Sequence, residues 1–320
     1  LSCGGYRKEA DVADNHLFID TDCGIDDAVA ILMALSHPAH EIVGISTLAG
    51  NVGRDYVTRN VCDLLSYVDP DVVPEAADIP VYVGASRPLV AEPVNASRIH
   101  GPTGLGTVEL PASEKKAETL PAPSGLAAQV ERNPGLTVVA LGPLTNLALS
   151  INLYPEIVDR IEHLVVMGGA LGAGNVTKFA EFNFFADPES VDVVFRSGIP
   201  LTIVPWDVCM NARMTPDQLS RAVGTQAKRG ALVFELQEWI FNVMEQRFGS
   251  PFTALADPLA MACALEPDII ARRHDGLLRM ELAHNALRGA SVPWNGSGMQ
   301  IIDDVDLDAF SALLTDVFTS

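Results

Sequence analysis

The chain has 320 residues, 48% of them hydrophobic, and carries 21 Lys and Arg against 41 Asp and Glu, a formal net charge of -20. That balance repels nucleic acid and anionic membrane surfaces, and no cluster of Lys and Arg offsets it. Five scattered cysteines (Cys3, Cys23, Cys62, Cys209 and Cys263) form neither a disulfide framework nor a zinc-ligand spacing, and no apolar run reaches the roughly 18 residues of a transmembrane helix.

The start Leu1-Ser2-Cys3-Gly4-Gly5 has the look of the residues around the lipidated cysteine of an exported lipoprotein. The plainer reading is a disordered cytosolic segment over residues 1–16, so location stays open. A β-branched run at 17–20 then predicts a strand, and 28–36 has helical spacing. Strands are predicted at 42–48 and 79–83, followed by a Pro- and Gly-rich stretch, 87–123, expected to lie above the sheet as a flap. Further strands at 136–141, 163–167 and 201–204 alternate with helical stretches at 144–149 and 188–195. After Thr215 helices dominate, including a long one at 231–248, before strands at 277–282 and 299–305 and a last helix from Leu307. Such alternation predicts an α/β fold over 17–320, with an open, mainly parallel, Rossmann-like sheet carrying helices on both faces. Ligands of such sheets sit beyond the carboxyl ends of the strands.

That is where Asp20-Thr21-Asp22-Cys23-Gly24-Ile25-Asp26-Asp27 falls. Asp26 and Asp27 could cap the helix that follows, but capping explains one or two carboxylates rather than four. Their crowding at one strand end raises mutual repulsion, which a divalent cation with oxygen ligands relieves. An Asp-x-Asp strand end also fits a haloacid-dehalogenase-like phosphotransferase, with Asp303-Asp304 as its distant acidic pair. That pattern does not call for Asp26-Asp27, and Gly24 stands where it usually has Thr or Val.

The stretch resembles the N-terminal signature of the nucleoside hydrolases, Asp-x-Asp-Pro-Gly-x-Asp-Asp-Ala, with Cys23 in place of Pro. Other blocks follow in that family's order: Ala49-Gly50-Asn51, His100-Gly101-Pro102-Thr103-Gly104, Leu141-Gly142-Pro143, Met167-Gly168-Gly169, Gly174-Asn175, Ala180-Glu181-Phe182-Asn183 and Ala256-Asp257-Pro258. The resemblance implies hydrolysis of the N-glycosidic bond of ribonucleosides to ribose and free base, with Ca2+ as cofactor and a homodimer or homotetramer as the assembly. It assigns Asp22, Asp27, Asp257 and the main-chain carbonyl of Leu141 to the metal, and Asp22 also to taking a proton from water held there. Asp26, Asn51, Asn175, Glu181 and Asn183 match groups that grip the ribose hydroxyls, and Met167 lies beneath the sugar. The chemistry agrees, because the sugar becomes oxocarbenium-like as the bond breaks and a carboxylate-rich pocket stabilises that charge.

One position departs from the pattern. A well-studied branch of the family has a His directly before the last metal Asp, where it protonates the departing base; here that residue is Ala256. Another group then supplies the acid, or the base leaves without one, or the protein binds nucleosides with little turnover. His100 borders the base site, and Trp206 and Phe182 are placed to stack on a base, which favours purine ribonucleosides. Trp239 and Trp294 are further aromatic candidates, Trp239 with packing as its plainer role.

Overall fold

Among the described residues, eight strands form one open sheet: β1 (Asn15–Thr21), β2 (His40–Thr47), β3 (Val81–Val83), β4 (Leu136–Ala140), β5 (Ile161–Met167), β6 (Leu201–Val204), β7 (Arg272–Met280) and β8 (Ser291–Asp304). The computed structural model describes residues 15–68 and 73–319. The strand order is β3-β2-β1-β4-β5-β6-β8-β7. Every neighbouring pair is parallel except β7 with β8, so the sheet is the mainly parallel one expected.

Among the described residues, twelve α-helices accompany it. They are α1 (Ile25–Ser36), α2 (Arg54–Tyr67), α3 (Ser97–His100), α4 (Ala122–Arg132), α5 (Thr145–Leu153), α6 (Phe182–Ala186), α7 (Pro188–Phe195), α8 (Trp206–Asn211), α9 (Pro216–Val223), α10 (Lys228–Phe248), α11 (Ala256–Leu265) and α12 (Leu307–Thr319).

Side chains alternate faces along a strand, and here both faces are buried. Leu17 and Ile19 of β1, Val139 of β4, and Val165 and Met167 of β5 join a core with α1, α10, α11 and α12. Their neighbours Phe18, Val138, Leu164 and Val166 join a second core with α4, α5 and α7. Continuous apolar runs, rather than apolar-polar alternation, are the consequence. From β1 the chain steps outward through β2 and β3, then returns to the other flank of β1 as β4 and continues through β5 and β6. The order therefore reverses between β1 and β4, which opens a crevice beyond their carboxyl ends. Asp22 and Leu141 each follow one of these two strands.

Some boundaries differ from expectation. β1 starts at Asn15, and Asn15 and His16, expected in the disordered segment, pair with His40 and Glu41 instead. Residues 1–14, with the Cys3 reading, lie outside the described residues. α1 begins at Ile25 rather than residue 28, because Asp27 Oδ2 accepts the Gly24 N–H at 2.9 Å and closes the first turn. β8 runs 14 residues, far longer than 299–305, because its first half is an exposed hairpin arm with Pro293, Gly296 and Gly298 and no apolar alternation to betray it. Among the described residues, no helix is long and apolar enough to cross a membrane.

Candidate active site

Asp22 is fully buried just past β1, and two glycines make room for it. A Cβ at Gly50 would overlap its carboxylate, and one at Gly142 would meet Oδ1 at 2.8 Å. Oδ2 accepts the Asn51 N–H at 2.7 Å, while Oδ1 is buried without a partner. Burial, then the nearby charges of Asp27 and Asp26, push the Asp22 carboxyl well above the usual carboxylate range.

One carboxylate oxygen from each of Asp26, Asp27 and Asp257 lies within 4.8 Å of the others, so these three could hold a metal ion. Burial followed by mutual repulsion raises Asp257 strongly, and burial with the Asp26 charge raises Asp27. An oxygen-only donor set and an orphaned Asp22 oxygen beside it suit a hard divalent cation. The three-residue set differs from the expected one: Asp26, assigned to the sugar, belongs to it, whereas Asp22 adjoins it. Capping accounts for part of the role of Asp27, through the Gly24 N–H, and it also accepts from the Thr21 hydroxyl at 2.5 Å and from Asn51 Nδ2 at 3.0 Å.

The fourth carboxylate of the cluster acts as a tie. Asp20 Oδ1 accepts from Ser46 Oγ at 2.5 Å and from Asn146 Nδ2 at 2.7 Å, joining β1, β2 and α5 beneath the crevice. Burial lifts this carboxyl to about 6.

Above the acidic floor opens a cavity of about 720 Å³. All nine residues expected to meet substrate, namely Asp26, Asn51, His100, Met167, Asn175, Glu181, Phe182, Asn183 and Trp206, form its wall, as do Leu141, Ala256 and Asp257. Asp22 and Asp27 sit behind that wall. Glu181 caps α6, with Oε1 accepting the Asn183 N–H at 2.8 Å and Oε2 those of Gly169 and Phe184 at 3.0 and 3.2 Å; burial still raises it to about 7. Asn183 Nδ2 donates to the Leu141 carbonyl at 2.7 Å and to that of Met167 at 3.1 Å. Asn175 Oδ1 is buried and unpartnered.

His100 arrives on α3 within the loop-rich segment. Its Nδ1 accepts the Ile25 N–H at 3.1 Å and lies 3.7 Å from Asp26 Oδ1. An Nδ1 that accepts carries no proton, so the neutral ring holds its hydrogen on Nε2. Burial pushes the imidazole down to about 4. The unfolded ring takes a proton near 6.5 and the folded one resists to about 4, so the unfolded state binds the extra proton in that window and stability falls as pH drops through it. Between pH 7 and pH 5 the wild type should lose about 2 kcal/mol more stability than His100→Asn. Urea unfolding at the two pH values checks this, and equal losses would refute it.

The remaining aromatic candidates stand elsewhere. Trp239 Nε1 donates to the Ile99 carbonyl at 2.7 Å, tying α10 to α3 without entering the cavity wall. Trp294 is exposed on the β7–β8 hairpin, stacked under Arg279. The phosphotransferase reading needs Asp303-Asp304 near Asp22, but Asp303 pairs with His274 at 2.9 Å towards the far side of the sheet and is absent from the wall. Sequence reasoning missed Asp207, whose carboxylate accepts the Leu171 and Gly172 N–H groups at 2.7 and 2.9 Å. It also missed the α10 residues Gln237, Ile240 and Met244, which form the outer wall; their three- and four-residue spacing reads equally as a core stripe.

The model of the inosine-uridine preferring nucleoside hydrolases matches residues 17–312. Uridine nucleosidase 1 of Arabidopsis thaliana is 34% identical over 309 residues, 92% of this chain and 89% of that protein. The solved structure of a plant nucleoside hydrolase superposes with a TM-score of 0.89 at 28% identity, covering 96% of this chain and 99% of that one. A purine-preferring ribonucleoside hydrolase from Gardnerella vaginalis gives 0.86 at 28% identity, covering 95% and 98%. With a family match across nearly all of the described residues and an acidic crevice at the sheet's reversal, the chain belongs to the inosine-uridine preferring nucleoside hydrolases and is a ribonucleoside hydrolase.

Proposed function

We propose calcium-dependent hydrolysis of ribonucleosides, with purine ribonucleosides preferred, and Asp22 as the base that activates water. The observation that carries this reading is the gathering of the expected sugar-facing residues around one cavity whose floor is carboxylate. Asp22, Asp27, Asp257 and the Leu141 carbonyl would hold a Ca2+, which would supply positive charge to make the attacking water more acidic.

The chain's own groups account for the rest. Asp22 Oδ2 is committed to Asn51, which leaves Oδ1 free to take the water proton. As water attacks the anomeric carbon and gives a proton to Asp22, the C1′–N bond breaks, its electron pair leaves with the base, and solvent supplies the proton that completes the free base. Asp26 and Glu181 face the sugar as it becomes cationic and stabilise that charge. Asn175, through its unpaired Oδ1, accepts from a ribose hydroxyl, so a deoxyribose leaves this buried group unsatisfied. Ala256 offers no proton to the base. His100 can donate a hydrogen bond from Nε2 but stays uncharged near neutrality.

Trp206 and Phe182 in the cavity wall favour a purine, since ring stacking adds about 1 kcal/mol beyond burial. The known relatives fall on both sides, one a uridine nucleosidase and one purine-preferring. A reducing-sugar assay across inosine, guanosine, adenosine, uridine and cytidine tests the reading. Higher kcat/KM on the purines is expected. Ribose release from none of them, with calcium present, would refute hydrolysis, and a preference for uridine would refute the purine assignment.

A further inference from the structure

On α10, Gln237 is wholly buried yet contributes to the cavity wall. Its Oε1 accepts the Thr253 hydroxyl at 2.7 Å, while its Nε2 has no hydrogen-bond partner. The amide orientation follows from Thr253. That hydroxyl accepts the Leu255 N–H at 3.4 Å and needs an acceptor for its own hydrogen, which Gln237 Oε1 provides. Turning the amide over would leave both that hydrogen and Oε1 unpaired. Thr253 is itself fixed, exchanging backbone hydrogen bonds of 2.8 and 2.9 Å with Met214. Gln237 is thus held by its oxygen and offers its nitrogen.

The surroundings say which end of a nucleoside this nitrogen serves. The polar groups suited to ribose lie on the floor, on the segments after β1, β2, β4 and β5. Gln237 stands on a different wall, with Ile240 on its own helix and Ala254, Leu255 and Ala256 on the segment it anchors. Leu255 is the one non-glycine residue with positive φ (47°) among the described residues, a strained conformation that presents Ala256 and Asp257 to the cavity. Ala256 is apolar and the Thr253 hydroxyl is committed to Gln237, so the Gln237 nitrogen is the uncommitted donor beside them, with Arg247 further along α10.

We propose that Gln237 is a specificity-determining residue for the leaving base. Its Nε2 donates a hydrogen bond to an acceptor of the nucleobase, a carbonyl oxygen or an unprotonated ring nitrogen, and the bond strengthens as that base takes up the electron pair of the breaking C1′–N bond. The inference rests on the hydrolase reading above.

The test compares a nucleoside with 1,4-anhydro-D-ribitol, a ribose ring without a base. Gln237→Glu keeps the acceptor for Thr253 and removes the donor; Gln237→Met removes both and decides nothing alone. In Gln237→Glu, kcat/KM for inosine and uridine should fall at least tenfold, while inhibition by 1,4-anhydro-D-ribitol stays within twofold of wild type. Equal losses on both probes would show that Gln237 acts only by holding Thr253 and Leu255, and unchanged kcat/KM would show no contact with the base. Either result overturns the proposal. A wild type that releases no ribose refutes the hydrolase reading instead. Calorimetric titration then decides Gln237 separately: selective weakening of inosine binding in Gln237→Glu supports it, and unchanged affinity overturns it.

Discussion

Asp22→Asn is expected to lower ribose release by at least about a thousandfold, the upper part of the range for removing a general base, while leaving the fold intact. Asn has the same shape, so it fits between Gly50 and Gly142, and its side-chain oxygen can still accept the Asn51 N–H. What disappears is the unpartnered oxygen's capacity to take a proton and one negative charge from a buried group of carboxylates. Losing that charge relieves repulsion, so the calcium-free variant should melt no lower than calcium-free wild type. Single-turnover kinetics and thermal melts check the two halves. Activity within tenfold of wild type would remove Asp22 from its assigned role.

Chelation should have the second-largest effect. Treatment with a calcium chelator is expected to cut turnover at least about a hundredfold, with recovery on adding Ca2+. It should also lower the melting temperature, because a ligand bound only by the folded state stabilises it; at a hundredfold excess over Kd the shift is roughly 4 °C for a chain of this size. The effect has a predictable pH dependence. Without the ion, Asp22, Asp27 and Asp257 have carboxyl groups raised above the ordinary value of 3.8. The folded state then binds more protons than the unfolded one, so the stability of the calcium-free protein falls as pH rises through that window. Bound calcium would remove this penalty, and its stabilisation should therefore be larger at pH 8 than at pH 5. Melting curves with and without calcium at both values measure it; a gain that shrinks with pH would contradict the carboxylate site.

Much of this arrangement is legible in the sequence because burial on both sheet faces leaves an unambiguous trace. Phe18-Ile19 and Val138-Val139 can be read as strands since both alternating positions must be apolar. The cluster after β1 is legible because four carboxylates in eight residues have no structural explanation as a set. Spacing alone does not say how a strand end turns, and that is why Asp26 stands in the three-carboxylate group while Asp22 adjoins it. The α10 wall was illegible for another reason. Gln237, Ile240 and Met244 follow helical spacing whether the helix faces a core or an open cavity, and a single glutamine within such a stripe carries no mark of its free nitrogen.

The two sides of the cavity are built from different materials. The floor comes from strand ends locked into the sheet, with Asp22 wedged so tightly that even a methyl group at Gly50 is excluded. The opposite side comes from α10 and the loop that holds Thr253; α10 packs into the same core as α1 and α11 through residues such as Leu236 and Ile240, and Trp239 ties it to Ile99 of α3. Substitutions that keep the core contacts of α10 can alter this wall while Asp22 and its glycine cradle stay as they are. Such a division would let the choice of base change while the sugar-facing residues stay fixed, and similar proteins include one named for uridine and one for purines.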